Sequence, residues 1–352
     1  MSLTLGIESS CDETAAAVVR GDRDVRSSIV ATQHELHELY NGVVPEIASR
    51  AHLECIGPVV DEALKVAGIS LGDLDAIAVG HAPGLIGSLL VGVSAAKTLS
   101  WSLGIPLTGV HHLLAHLHAP ALDSEAIAYP AVGLLASGGH TSLTVQHGPL
   151  EARLLGHTID DAVGEAFDKA GTLLEAGYPG GPAIERLAQD GDDRAVELPI
   201  ANLGRDSLDF SFAGLKTALL YATRGTPVGR GQNARFPRTA SDLTQQRRAD
   251  LAASFQRCAI EALTRRAHAA LEATPARTLL GGGGVLCNTL LRTSLTALAD
   301  RHGVALRIAP PAYCVDNAAM IAGLGHLSIA AGHIDGTNLQ AKARLSIEDA
   351  TA

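Results

Sequence analysis

The chain has 352 residues, of which 47% are hydrophobic and 18% charged, a composition that excludes a disordered or low-complexity protein. Acidic side chains outnumber basic ones 37 to 27, and the formal net charge of −10 argues against unaided binding of nucleic acid. Five scattered cysteines without a CxxC pair exclude a disulfide framework and fit reduced thiols in a cytosolic protein.

In chain order, Leu3–Glu8 and Thr14–Arg20 are apolar runs around the polar tip Ser9-Ser10-Cys11-Asp12-Glu13, and read as a β-hairpin. The early acid at Glu8 does not fit a signal peptide. A strand near Ser27–Thr32 precedes a helix from Pro45, where Ile47, Ala51, Cys55, Val59 and Ala63 recur at helical spacing and Pro58 should kink or interrupt it. A strand (Ala76–Val79), the turn Ala82-Pro83-Gly84, a helix to about Leu103 and a strand (Leu107–Val110) follow. No run of about 18 apolar residues crosses a membrane, and Leu85–Ala96 reads as a buried helix.

The second half repeats the plan. Strands Ala131–Ala136 and Thr141–Val145 flank the tip Ser137-Gly138-Gly139-His140, and Leu279-Leu280 enters Gly281–Gly284 and then a helix. The expected fold class is α/β, with two duplicated lobes and a ligand cleft between them. Residues 1–110 would form the first lobe, completed by a helix at about 316–335. Residues 111–315 would form the second, and 336–352 a tail. The Pro/Gly/Arg-rich stretch Gly225–Pro237 reads as a surface loop.

His111, His112, His116 and His118 fall within eight residues. His112 and His116 are one helical turn apart, so both imidazoles can face one divalent ion, or simply pack the helix. Neither HExxH nor HxxEH is present, so the helix offers no general base for a zinc protease. A third ligand must come from elsewhere, and Asp316 in Cys314-Val315-Asp316-Asn317 is the best candidate.

The glycine-rich turns Ser137-Gly138-Gly139 and Gly281–Gly284 suit backbone N–H contacts to phosphate, or are tight turns only. Asp168 could accept from a ribose, pair with Lys169 or cap a helix. Asn288 follows the glycine run by one turn and should face the same cleft. Cys287 reads as a packing residue. Asp12 and Glu13 are carboxylates beside apolar residues at the first hairpin tip, candidates for catalytic groups. Arg224, Arg230, Arg235 and Arg238 form an acid-free basic segment, a nucleic-acid contact or a solvated loop.

Several of these segments, with others, occur in one order across residues 3 to 335. They are Gly6-Ile7-Glu8-Ser9-Ser10-Cys11-Asp12-Glu13-Thr14, Val43-Val44-Pro45-Glu46, His112-x-x-x-His116, Ser137-Gly138-Gly139-His140-Thr141, Phe167-Asp168-Lys169, Tyr178-Pro179-Gly180-Gly181-Pro182, Phe210–Lys216 and Asp316-Asn317. The set strongly resembles the bacterial tRNA N6-adenosine threonylcarbamoyltransferase family, once described as O-sialoglycoprotein endopeptidases. That resemblance implies an actin-like ATPase fold and transfer of threonylcarbamoyl from threonylcarbamoyl-AMP to the adenosine 3′ of the anticodon. It implies one iron or zinc ion on His112, His116 and Asp316. It places substrate on Leu135, Ala136, Ser137, Gly138, Gly139, Asp168, Gly181 and Asn288, with threonylcarbamoyl-AMP or ATP in the cleft. It also implies tRNA, a pseudo-enzyme paralogue (TsaB) and a P-loop ATPase (TsaE) as partners, in the cytoplasm. An actin-like small-molecule kinase would leave His112, His116 and Asp316 idle. A metalloprotease lacks its glutamate, and a non-catalytic scaffold would not need the complete ligand set.

Overall fold

Two apolar runs separated by a polar tip pair as an antiparallel hairpin, β1 (Leu3–Glu8) with β2 (Glu13–Arg20), with Leu3 opposite Arg20 and Glu8 opposite Ala15. The computed structural model describes residues 2–40, 42–204, 207–229 and 235–351. β3 (Asp24–Thr32) extends the hairpin. A short α1 (His34–Glu38), absent from the sequence reading, leads to α2 (Pro45–Ala67). β4 (Ala76–Ala82), α3 (Ile86–Leu103) and β5 (Leu107–His111) complete a sheet of order β3-β2-β1-β4-β5, its last two strands parallel to β1.

α4 (His112–His118) leads into the second sheet, which opens with the antiparallel run β6 (Ala131–Ala136), β7 (Thr141–Gly148) and β8 (Glu151–His157). Four α-helices intervene among the described residues: α5 (Val163–Leu173), α6 (Gly180–Ala188), α7 (Ala213–Arg224) and α8 (Gln245–Ala273). β9 (Thr278–Gly282), α9 (Thr289–His302) and β10 (Ala305–Ile308) then give the order β10-β9-β6-β7-β8. Read from β8, this is the first sheet's topology again: an antiparallel meander with two parallel strands added beyond its first strand. The duplication inferred from the repeated hairpin and Gly turn is therefore a property of the fold.

After α10 (Pro311–Cys314), α11 (Ala318–Ala330) returns to pack across β1, β2 and β4. From Ala318 to Gly325 it is apolar on every face because it is enclosed on every face, with Ile321 and Met320 fully buried. Burying such a side chain stabilises by about 1.5–3 kcal/mol. A Cβ on Gly6 would lie 2.2 Å from the Ala318 carbonyl oxygen, so only glycine lets the start of α11 rest on β1. The chain ends in α12 (Ile347–Thr351), which packs against β8.

Four local expectations change. α2 is continuous through Pro58: Pro58 and Glu54 both face solvent, so the carbonyl that Pro58 cannot serve can bond water. α3 is buried on one side only, through Leu89, Val93 and Ala96, and exposes Ile86, Leu90 and Trp101. It is the one described helix long and apolar enough to cross a membrane by length and composition, and here it packs on β4 and α2. The glycine run enters a 3-10 turn, Gly284–Cys287, before α9 begins. The basic stretch starts inside a helix, since Arg224 is the last residue of α7.

Candidate metal and substrate site

β5 passes directly into α4 at His111, so His112 occupies the first helical position and His116 lies one turn on. Their rings meet edge to face, with centroids 4.6 Å apart. Asp316 arrives two hundred residues later, just before α11, and its Oδ1 lies 3.0 Å from His116 Nε2 and 3.6 Å from His112 Nε2. Asn317 fixes that turn: its Oδ1 accepts from Met320 N–H to cap α11, while its Nδ2 donates to the Tyr313 and Val315 carbonyls. The three ligand atoms lie within 4.8 Å of one another. Two imidazoles and one carboxylate suit a divalent ion.

Behind His112 stands a residue the sequence reading passed over. Glu8, at the end of β1, is fully buried; its Oε2 lies 3.0 Å from His112 Nδ1 and its Oε1 accepts the Ser10 N–H at 2.6 Å. A carboxylate on the far nitrogen fixes the imidazole tautomer and raises its basicity, an arrangement typical of metal-ligating histidine. The fit of the donor set to a divalent ion therefore extends to its support. Burial opposes charge on His112, yet Glu8 and Asp316 outweigh it and hold its pKa up at about 9. Burial likewise opposes ionisation of Asp316, but His112 and His116 keep it well below the usual carboxylate range. The signal for Glu8 was an acid ending an otherwise apolar strand, since a buried carboxylate requires a partner.

The two flanking histidines point elsewhere. His111 Nε2 donates to the Leu345 carbonyl and His118 Nε2 to the Asp22 carbonyl, tying α4 to the tail and to the β2–β3 turn.

Beside the cluster is a cavity of about 280 Å³ lined from both halves of the chain: Glu13 and His34 from the first, Gly138, Asp168, Gly181 and Asn288 from the second. Leu135 and Ala136 end β6 and are fully buried, supporting the tip that follows. The Ser137 N–H is already donated across the tip to the His140 carbonyl at 2.8 Å, so it is not the anion donor that the sequence suggested. The N–H groups of Gly138 and Gly139 donate to no group among the described residues. Asp168 does not pair with Lys169, which instead contacts Asp161 and Glu165. Its Oδ1 accepts the first N–H of α6, from Gly180, at 2.7 Å, and burial raises its pKa against that bond. Asn288 lines the cavity, but its side chain caps α9 through Leu291 N–H and donates to Gln256 Oε1. Cys287 is exposed on the cavity, not packed away, because the 3-10 turn ends there and points it outward.

Asp12 and Glu13 are nearly buried at the first tip and meet a second missed residue, His34, whose Nε2 is 3.3 Å from Glu13 Oε1 and 3.9 Å from Asp12 Oδ2. Burial pushes the Glu13 carboxyl up to about 8. The hydrogen bond to Glu13 raises His34 in turn, so one proton is held between them. No periodicity announced His34, since α1 is a single short turn of helix.

The basic segment is divided. Arg238 donates through Nε to the Thr223 carbonyl and through Nη2 to the Ala222 carbonyl, both at 2.7 Å, capping the end of α7. The Nε of Arg224 is buried without a partner among the described residues. Arg235 is exposed and its backbone pairs with Val228. Arg230 lies outside the described residues.

Two sheets of one topology, with a His-His-Asp group beside a cavity lined from both halves, define an actin-like ATPase-fold protein carrying a candidate metal centre. Solved structures share that fold: HypF of T. kodakarensis has a TM-score of 0.59 at 16% identity, over 94% of this chain and 48% of that one. Component A of the (R)-2-hydroxyglutaryl-CoA dehydratase of Acidaminococcus fermentans has 0.52 at 12% identity, over 94% and 100%. Within the fold, residues 24–323 match the TsaD family, tRNA N6-adenosine threonylcarbamoyltransferase. The enzyme of that name from Symbiobacterium thermophilum is 50% identical over 331 residues, 94% of this chain and 92% of the relative. That from Trichlorobacter lovleyi is 49% identical over 340 residues, 96% and 95%. The chain belongs to the tRNA N6-adenosine threonylcarbamoyltransferase family, and it is an acyltransferase of tRNA modification.

Proposed function

We propose that the chain moves threonylcarbamoyl from threonylcarbamoyl-AMP to the N6 amine of the adenosine 3′ of the anticodon, in tRNAs reading codons that begin with A, and releases AMP. The convergence of His112, His116 and Asp316 beside a cavity lined from both halves carries this reading. It uses residues 1–110 with α11 as one lobe and 111–315 as the other. Iron or zinc held by those three residues would act as a Lewis acid on a substrate oxygen.

The protein's own groups supply the rest. Glu8 keeps His112 in the tautomer that presents Nε2. Gly138 and Gly139 offer two unspent N–H groups to an anionic oxygen of the donor, with no Cβ in the way. Asp168 holds α6, and so Gly181, against the cavity. An adenine amine is a weak nucleophile because its lone pair is delocalised into the ring. The Glu13–His34 pair, with Asp12 beside it, can orient that amine and accept the proton it loses. Arg235 and Arg224 are the arginines of the basic segment best placed to meet tRNA phosphate, since Arg238 serves the helix end. A net charge of −10 fits a chain that shares tRNA binding with partners, here a paralogue of the same fold and a P-loop ATPase, in the cytoplasm.

The test is single-turnover transfer from pre-formed threonylcarbamoyl-AMP, labelled in the threonine, to unmodified tRNA with both partners present. Wild-type protein should label tRNA and release AMP stoichiometrically, and His112→Ala should lose bound metal and transfer together. A metal-free His112→Ala protein with full activity would overturn the reading.

A further inference from the structure

Two of the five thiols meet at the rim of the cavity. Cys287 closes the 3-10 turn Gly284–Cys287, is exposed, and immediately precedes Asn288. Cys314 ends α10, is buried, and stands two residues before Asp316. The turn and α10 pack together, which brings the two thiols within electrostatic reach of each other. One guanidinium clamps both segments: Arg292 donates through Nε to the Leu286 carbonyl at 2.5 Å, and through Nη2 to the Ala309 carbonyl at 2.8 Å and to Cys314 Sγ at 3.3 Å. Cys314 in turn donates its S–H to the Ala309 carbonyl. The pair is thus pre-positioned, with one sulfur open to solvent and the other waiting behind it. The remaining three cysteines are not paired in this way.

We infer that Cys287 and Cys314 form a reversible disulfide under peroxide-class oxidants, and that this bond switches the cavity off. The Cys287 thiolate attacks a peroxide oxygen; an S–O bond forms, the O–O bond breaks, and the departing hydroxide takes up the proton that the Cys287 thiol released to solvent, giving water. The Cys314 sulfur then attacks the sulfenic sulfur; the S–S bond forms, the S–O bond breaks, and the departing oxygen carries the Cys314 proton away as a second water. Two thiols lose two electrons and the peroxide gains them. An S–S bond fixes the two sulfurs at about 2.0 Å and their Cα atoms at roughly 4.4–6.8 Å. Closing it therefore ties together the turns that carry Asn288 and Asp316. The Cys287 thiol is depressed to about 7, first by its neighbour Cys314 and then by Arg292, against the partial burial that raises it.

The effect on transfer rests on the proposed function, whereas the bond itself does not. Purified full-length chain is treated with hydrogen peroxide, alkylated, digested without reductant and mapped by mass spectrometry. A Cys287–Cys314 linked peptide should appear, disappear with dithiothreitol, and rise in step with loss of transfer activity. Cys287→Ser, altered at an exposed position, and Cys314→Ala should each show equal activity before and after peroxide. Wild-type protein in which Cys287 becomes a sulfinic acid while Cys314 stays a free thiol overturns the disulfide. A linked peptide with undiminished transfer overturns the switch.

Discussion

Replacing Glu8 with Gln tests whether the site is built to hold an ion or merely to pack histidines. The carboxylate is fully buried and accepts two hydrogen bonds, from Ser10 N–H at 2.6 Å and His112 Nδ1 at 3.0 Å. Glutamine keeps the volume and one carbonyl acceptor, so the Ser10 bond can survive and the fold should persist. Its amide nitrogen, however, cannot accept from the imidazole, and the negative charge behind the ring is gone. Losing such an outer carboxylate lowers metal affinity by roughly 10–100-fold, which is about 1.4–2.8 kcal/mol. Competition against a chromogenic chelator measures this directly in the wild-type and Glu8→Gln proteins, with circular dichroism confirming that both are folded. Transfer activity at limiting metal should fall by the same factor and recover at saturating metal. Wild-type affinity in a folded Glu8→Gln protein would refute the role given to Glu8 and weaken the case for His112 as a ligand.

Gly283→Ala should sharply reduce substrate binding, because the residue sits at φ +97° and its Cβ would lie 2.4 Å from the Ala136 carbonyl; donor affinity by calorimetry checks this, and unchanged affinity would reject the contact. Arg238→Ala should cost about 1–2 kcal/mol of stability by uncapping α7 and leave the salt slope of tRNA binding unaltered, whereas Arg235→Ala should flatten that slope with stability intact. Glu13 has a folded-state pKa raised to about 8 by burial, so its contribution to stability is fully present below the ordinary carboxylate range and is lost as pH rises toward 8. Denaturation of wild type against Glu13→Gln should accordingly show the wild type losing ground between pH 5 and pH 8, and parallel curves would sink the assignment. Cys287, faced by Cys314, Arg292 and Glu185, should alkylate with a midpoint near its pKa of about 7 and level off at higher pH, whereas Cys258, raised by burial, should stay unreactive across the range.

Much of this protein is legible in its sequence because the signals are local or repeat. Alternation and apolar runs place the hairpins at Leu3–Arg20 and Ala131–Val145. The i, i+4 spacing puts His112 and His116 on one helical face, and a second Gly-tipped hairpin announces the duplication. What the sequence reading misassigned or missed depends on contacts between distant segments. The Ser137 N–H bonds across its own tip, and Asp168 reaches Gly180 instead of its neighbour Lys169. Arg238 folds back onto α7, and Pro58 faces water, where a helix can tolerate it. Glu8, His34 and the Cys287–Cys314 pair gain meaning only from partners 104, 21 and 27 residues away. Local spacing reports which face a side chain occupies, because backbone geometry alone sets it. Which group meets it there is decided by how two sheets and the returning helix α11 pack, and that is a property of the whole chain.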